Sequence, residues 1–216
     1  MKIDILMSDP GHPVVEYMTR WQSANASDHE VNIIYSSADA LGGDILFLVS
    51  CNEIVSKSTR DNYRHTLVLH ASDLPRGKGW SPHIWQILEG QDHVTVSLLD
   101  AEDEVDAGAI WHKCKVTFDG SELADEINAG IFAAELQLMD FALRNIATVK
   151  PVPQPTTGST YYARRKPEDS RLDVHKTIAE QFDAMRVADP KRYPCFFEFR
   201  GARYVLHIEK IKEGES

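Results

Sequence analysis

Leu69–Gly90 reads LHASDLPRGKGWSPHIWQILEG, and Val94–Trp111 reads VTVSLLDAEDEVDAGAIW. The apolar run Thr66–Leu69 ends at His70. A second run with apolar alternation, Val94–Leu99, leads into a loop that ends at Asp106. A histidine at the end of one strand and an aspartate in the loop after the next are expected to meet in one crevice. They form a natural acid–base couple, because imidazole titrates near neutral pH and a carboxylate orients it and raises its basicity.

Working outward, strand and helix signals alternate. Lys2–Met7 reads as a buried first strand, closed by the turn Ser8-Asp9-Pro10-Gly11. Pro13–Trp21 reads as a helix, with Val14, Val15, Met18 and Trp21 at helical spacing and proline near its start. Val31–Tyr35, Asp44–Ser50 and Thr66–His70 follow as strands, and the second of these is the most apolar, as a central parallel strand should be. This order predicts an α/β fold with a mostly parallel sheet. Pro82–Leu88 reads as a short helix capped by Ser81. Val94–Leu99 returns too soon for a full crossover, so it is expected to join antiparallel. Ile110–Phe118 reads as an edge strand. Ser121–Ala147 is a long amphipathic helix with Leu123, Ile127, Ile131, Ala134, Leu138 and Phe141 along one face.

Three prolines alternate with other residues after Lys150, which favours an extended linker over 150–159. The expected organisation is a catalytic domain over 1–149, this linker, and a small C-terminal α+β module over 160–216. In that module Arg171–Val187 reads as a helix presenting Val174, Ile178, Phe182 and Met185. Cys195–Phe199 and Tyr204–Ile208 read as strands around a turn at Arg200-Gly201.

Composition narrows the function classes. The 216 residues are 43% hydrophobic and 26% charged, within the range of soluble domains. Lys and Arg number 23 against 33 Asp and Glu, a formal charge of −10, which argues against a nucleic-acid partner. Three cysteines, Cys51, Cys114 and Cys195, have no paired spacing, so neither a metal site nor a disulfide framework is expected. No stretch is long enough to span a bilayer, and the N-terminus lacks a signal-peptide pattern. The expectation is a cytoplasmic protein with no membrane partner; a homodimer stays open.

Open α/β sheets bind ligands beyond the carboxyl ends of their strands. Four polar clusters are expected there: Ser8-Asp9, Ser50-Cys51-Asn52, His70-Ala71-Ser72-Asp73 and Asp100–Asp106. Gly77 and Gly79 with Arg76 and Lys78 make either a phosphate-holding loop or a solvated turn.

The string His70-Ala-Ser72-Asp-Leu-Pro75-Arg-Gly77-Lys-Gly79, then Pro82-His-Ile-Trp85, then Asp106-Ala-Gly108, resembles the catalytic domain of folate-dependent formyltransferases. Leu46–Val55 resembles the family's folate strand and loop. The tail, with Arg164-Arg165, Asp169, Tyr193–Phe197 and Gly201, is similar to the small barrel-like module of transfer-RNA and sugar members. The resemblance implies a Rossmann-like domain that takes 10-formyltetrahydrofolate as formyl donor. It implies donor contacts at Ser50, Cys51, Ile54 and Val55, and at Ala101, Glu102, Asp103 and Val105. A primary amine would attack the formyl carbon. His70 would remove its proton or stabilise the oxyanion, Asp106 would orient His70, and Ser72 would position the loop or a water. The family's asparagine two residues before the histidine is Val68 here. Asn52 is the candidate replacement, the other reading being a polar turn residue.

The acidic balance disfavours a transfer-RNA acceptor, which leaves a small amino sugar, expected to be nucleotide-linked. The His70–Ile87 string most resembles bacterial sugar N-formyltransferases, including those of nonulosonic-acid pathways. Ser8, Arg76, Lys78, Gly79 and Trp80 are the expected acceptor contacts, with Trp80 stacking on a base or sugar. The competing readings are a formyltetrahydrofolate hydrolase, a methionyl-tRNA formyltransferase-like protein, and a catalytically weak binder of folate or nucleotide sugar.

Overall fold

A computed structural model describes residues 1–211. Its strands are β1 Lys2–Leu6, β2 Glu30–Ile34, β3 Gly43–Leu48, β4 Tyr63–His70, β5 Lys78–Gly79, β6 His93–Asp100, β7 Ile110–Thr117, β8 Tyr161–Tyr162, β9 Cys195–Phe199 and β10 Ala202–Leu206. Its helices are α1 Val14–Asn25, α2 Lys57–Arg60, α3 Pro82–Leu88, α4 Ala124–Asn145 and α5 Ile178–Arg186. The main sheet has the order β2-β1-β3-β4-β6-β7. The first four of these strands run parallel, while β6 and β7 join antiparallel, as the short gap before Val94 predicts.

Period-two alternation gives the sheet two buried faces. Ile45, Phe47, Leu67 and Leu69 join the core under α1 and α4, to which Met18, Trp21, Ile127, Ile131 and Leu138 contribute. Each fully buried Leu or Ile there contributes about 1.5–3 kcal/mol. Trp21 Nε1 also donates to Asp140 at 2.8 Å and ties the two helices. On the other face Leu46, Leu48, Val55 and Tyr63 form a smaller cluster with Cys51, Val68 and Ala101, so the loops after β3 and β6 pack together.

Some local expectations change. Ser81 does not cap α3 with its side chain; it sits in the left-handed region at φ 44°. The predicted helix from Arg171 starts only at Ile178. Thr177 and Glu180 form a reciprocal capping box, while Leu172 N–H donates to Phe196 and Arg171 bridges to that residue. Val174 and Ile178 are consequently exposed rather than packed. The turn at Arg200-Gly201 is present, with φ of 52° and 80°, a two-residue reversal that suits a right-twisted hairpin. Among the described residues the C-terminal region holds the short β8, α5 and this two-stranded hairpin, an α+β set in which the strands do not close into a barrel. No described helix is long and apolar enough to cross a membrane.

Candidate active site

His70 closes β4, and its side chain shares a face with Thr66 and Val68. Because β6 is antiparallel, its carboxyl end lies beside Leu67, away from the end of β4. The Asp100–Asp106 cluster therefore does not start at the same pole as the other three. The loop turns back over the sheet face instead: Ala101 N–H donates to Thr66 O, and Asp100 N–H to Ala109 O. Gly108 passes so close to Asp100 that an added Cβ would lie 1.9 Å from the carbonyl oxygen. Asp106, at φ 56°, then carries its carboxylate to the imidazole.

The couple is formed. His70 Nδ1 lies 3.5 Å from Asp106 Oδ1, with both side chains more than 90% buried. His70 Nε2 is 2.8 Å from Gly77 O. A carbonyl can only accept, so Nε2 carries a proton and Nδ1 is the nitrogen left for proton traffic. Asp106 Oδ2 accepts from Gly79 N–H at 2.9 Å. Protonation at Nδ1 places an imidazolium against the carboxylate, which stabilises it.

His70 lines a cavity of about 300 Å³. Ser50, Cys51, Asn52, Gly79 and Trp80, each named as a site candidate in the sequence, line it too, and so does the apolar Val68. Ser8 stands just behind, accepting from Asn52 N–H at 2.7 Å and contacting Cys51 Sγ at 3.6 Å. Ser72 is buried next to the couple with an unpartnered hydroxyl. The other expected residues lie outside this lining. Lys78 pairs with Glu104 at 3.0 Å, and Asp103 pairs with Arg60. Arg76 makes a backbone turn to Asp73. Ile54 and Val105 are exposed, Glu102 is exposed, Val55 is buried, and Ala101 packs with Val55 in the small cluster.

Sequence reasoning missed the far wall. Glu135 of α4 is 5% exposed, its Oε2 has no partner, and burial pushes its pKa up to about 8. Its signal was available, because an acid four residues after Ile131 and three before Leu138 interrupts an apolar stripe. His83 Nδ1 is likewise unpartnered, and burial, with the charges of His12, His70 and Arg165 nearby, lowers its pKa to about 4. Both groups are neutral at pH 7, so this wall can donate and accept hydrogen bonds without carrying charge. The C-terminal region supplies Arg164, Arg165, Lys166 and Arg192 to the same cavity. The Arg164 guanidinium sits 4.8 Å over the Trp80 ring, and Arg192 pairs with Asp9 at 2.7 Å. Among the described residues no cluster of three or more His, Cys, Asp or Glu could hold a metal ion.

Fold and site define an α/β protein with a buried His–Asp couple opening into a cleft at the strand ends. The formyl transferase family model matches residues 5–143, and the chain belongs to that family. Methionyl-tRNA formyltransferases of Streptococcus pneumoniae strains are 26% identical over 183 residues, 81% of this chain and 57% of theirs, so the chain spans little more than half the length of these relatives. The fold is shared with a methionyl-tRNA formyltransferase from Clostridium thermocellum (TM-score 0.83, 22% identity, covering 99% of this chain and 95% of that one). It is shared with HypX from Aquifex aeolicus in complex with tetrahydrofolic acid (TM-score 0.80, 18% identity, 94% and 36%). A sugar N-formyltransferase from Shewanella has it as well (TM-score 0.72, 15% identity, 98% and 99%).

Proposed function

We propose that the protein is an N-formyltransferase that moves a formyl group from 10-formyltetrahydrofolate to the primary amine of a small, nucleotide-linked amino sugar. The observation that carries this reading is His70 lining the cavity with Asp106 beside it, Nε2 held by Gly77 O and Nδ1 free for a proton. The formyl donor supplies an electrophilic carbon on a good leaving nitrogen. The acceptor nitrogen forms the new C–N bond, the donor C–N bond breaks, and one proton moves from the amine to the departing nitrogen. His70 carries that proton through Nδ1, and Asp106 holds the ring. Ser72 supports the loop. Asn52 stands in for the oxyanion donor that Val68 cannot supply.

We place the donor where the sequence expects it, between Cys51, Ile54 and Val55 and the loop Ala101–Val105; of these only Cys51 lines the cavity, so binding there requires the two packed loops to part. The apolar Cys51 and Val68 on the cavity lining suit one edge of a flat heterocycle. HypX, of the same fold, binds tetrahydrofolic acid. The acceptor takes the cavity beyond Trp80. Its phosphates meet Arg164, Arg165 and Lys166, and its hydroxyls meet the neutral wall at Glu135 and His83. A net charge of −10 disfavours transfer RNA as acceptor.

The test is a panel of nucleotide-linked amino sugars incubated with the full chain and formyltetrahydrofolate. Mass spectrometry should find one acceptor gaining a single formyl group. His70→Ala should lower that rate by about a hundredfold or more. Formate release in the absence of any amine would replace transfer by hydrolysis, and a native rate in His70→Ala would remove the mechanism.

A further inference from the structure

His70 and Asp106 each rest on one backbone group of the same short loop, Gly77 O for the ring and Gly79 N–H for the carboxylate. That loop is backed from its other side by chain more than 80 residues away. Thr160 Oγ1 accepts from Gly77 N–H at 2.8 Å. Thr160 O accepts from Lys78 N–H, and Tyr162 O accepts from Trp80 N–H, both at 3.0 Å. The pairing of β5 with β8 is thus a strand added to the loop that holds the couple. Neither glycine has room for a side chain. A Cβ on Gly77 would lie 2.9 Å from Ser72 Cβ, and one on Gly79 would lie 2.4 Å from Tyr162 O.

The same segment grips the aspartate's loop. Gln154 Nε2 donates to Asp106 O at 2.9 Å and to Gly108 O at 2.8 Å. Val152 exchanges two backbone hydrogen bonds with Ile110 at 2.8 and 2.9 Å. Asp106 is a non-glycine residue in the left-handed region, a conformation that persists only where its surroundings hold it.

We propose that residues 152–162, rather than joining two units passively, form a strap that sets the geometry of the acid–base couple, with Thr160 and Gln154 as its positioning residues. Thr160 holds both sides of Gly77: its hydroxyl accepts from Gly77 N–H, and its carbonyl accepts from the N–H of the next peptide, whose oxygen accepts from the imidazole. Gln154 fixes the turn that aims the carboxylate. The strap closes both loops against each other, so loosening either end lets the 3.5 Å pair drift. The inference rests on the formyl-transfer reading only for its kinetic arm.

Thr160 is exposed, so its substitution leaves the core intact. Thr160→Val removes the acceptor and keeps the shape, and Thr160→Ser restores the acceptor. The full chain, with labelled histidine, is first compared by long-range 1H–15N NMR, with His70 assigned through His70→Asn. Wild type and Thr160→Ser should show a slowly exchanging proton on His70 Nε2. Thr160→Val and Gln154→Met should broaden or lose it. With a formylated acceptor in hand, Thr160→Val and Gln154→Met should lower kcat by about ten- to a hundredfold. KM should stay within twofold, and Thr160→Ser should recover the rate. An unchanged Nε2 proton signal in Thr160→Val and Gln154→Met overturns the strap whatever the activity. A changed signal in the two variants, together with a wild-type protein that formylates nothing, leaves the strap standing and removes the formyl-transfer reading.

Discussion

Glu135 and His83 put opposite slopes on stability against pH. The Glu135 carboxyl holds its proton up to about pH 8 in the folded chain, whereas an unfolded chain releases it near its ordinary value of 4.5. Between those values the unfolded state binds fewer protons, so stability falls as pH rises from about 4.5 to 8. His83 runs the other way. Its folded pKa is about 4 against 6.5 unfolded, so stability falls as pH drops from 6.5 towards 4. Above pH 6.5 only the Glu135 slope remains. Glu135→Gln should flatten it, and urea unfolding at pH 6.5 and 8.5 should show wild type losing on the order of 2 kcal/mol more than the variant. Equal losses would mean that the carboxyl ionises freely in the fold. His70 was legible as the end of a strand pattern, whereas Asp106 was legible through the family motif, because the strand before its loop ends at the opposite pole of the sheet. His83 was not, because its role comes from burial without a partner, which only three-dimensional packing reveals; Glu135 left a trace as an acid within the α4 apolar stripe, and packing was needed to show that it faces the cavity.

Helices and strands with their own periodicity were readable; elements made by pairing alone were not. Strands β1, β3, β4 and β6 and the α4 stripe follow from residues that alternate or repeat within one segment, and the antiparallel direction of β6 follows from the short gap before Val94. β5 and β8 have two residues each, and their register comes from Thr160 and Tyr162 meeting a loop far away in sequence. The start of α5 shows a local rule beating a pattern. Apolar spacing runs back to Val174, yet Thr177 and Glu180 cap at Ile178, and Gln181 Oε1 accepts from Asp173 N–H at 2.6 Å to hold the preceding turn. Glu180 sits below its usual carboxylate range because it accepts from both the backbone and the hydroxyl of Thr177. Thr177→Ala should therefore destabilise the chain by about 1 kcal/mol in urea unfolding. Met185 of this helix and Cys195, which pack together with Leu172, should be the first places where amide exchange rises.

At the scale of the molecule, charge is distributed in a way that the net figure hides. The chain as a whole is acidic at −10, yet four cations from 164–166 and 192 gather on one cavity wall. Arg165 is half-buried, its burial drawing its pKa down while it donates to Asp169 O and Ser170 Oγ. Arg192 already answers Asp9. Arg164 makes no ion pair among the described residues and rests on Trp80, so its charge remains for an incoming anion. An acidic surface with a basic pocket repels a polyanion such as transfer RNA and still draws in a diphosphate. Formylation of a nucleotide-linked acceptor should consequently depend on Arg164. Arg164→Ala should raise KM for that acceptor by about tenfold, at roughly 1.4 kcal/mol per tenfold change, while leaving KM for formyltetrahydrofolate unchanged. Transfer RNA should neither compete nor be formylated at 0.15 M salt. Formylation of charged initiator transfer RNA at a rate matching the sugar acceptor would reverse this assignment.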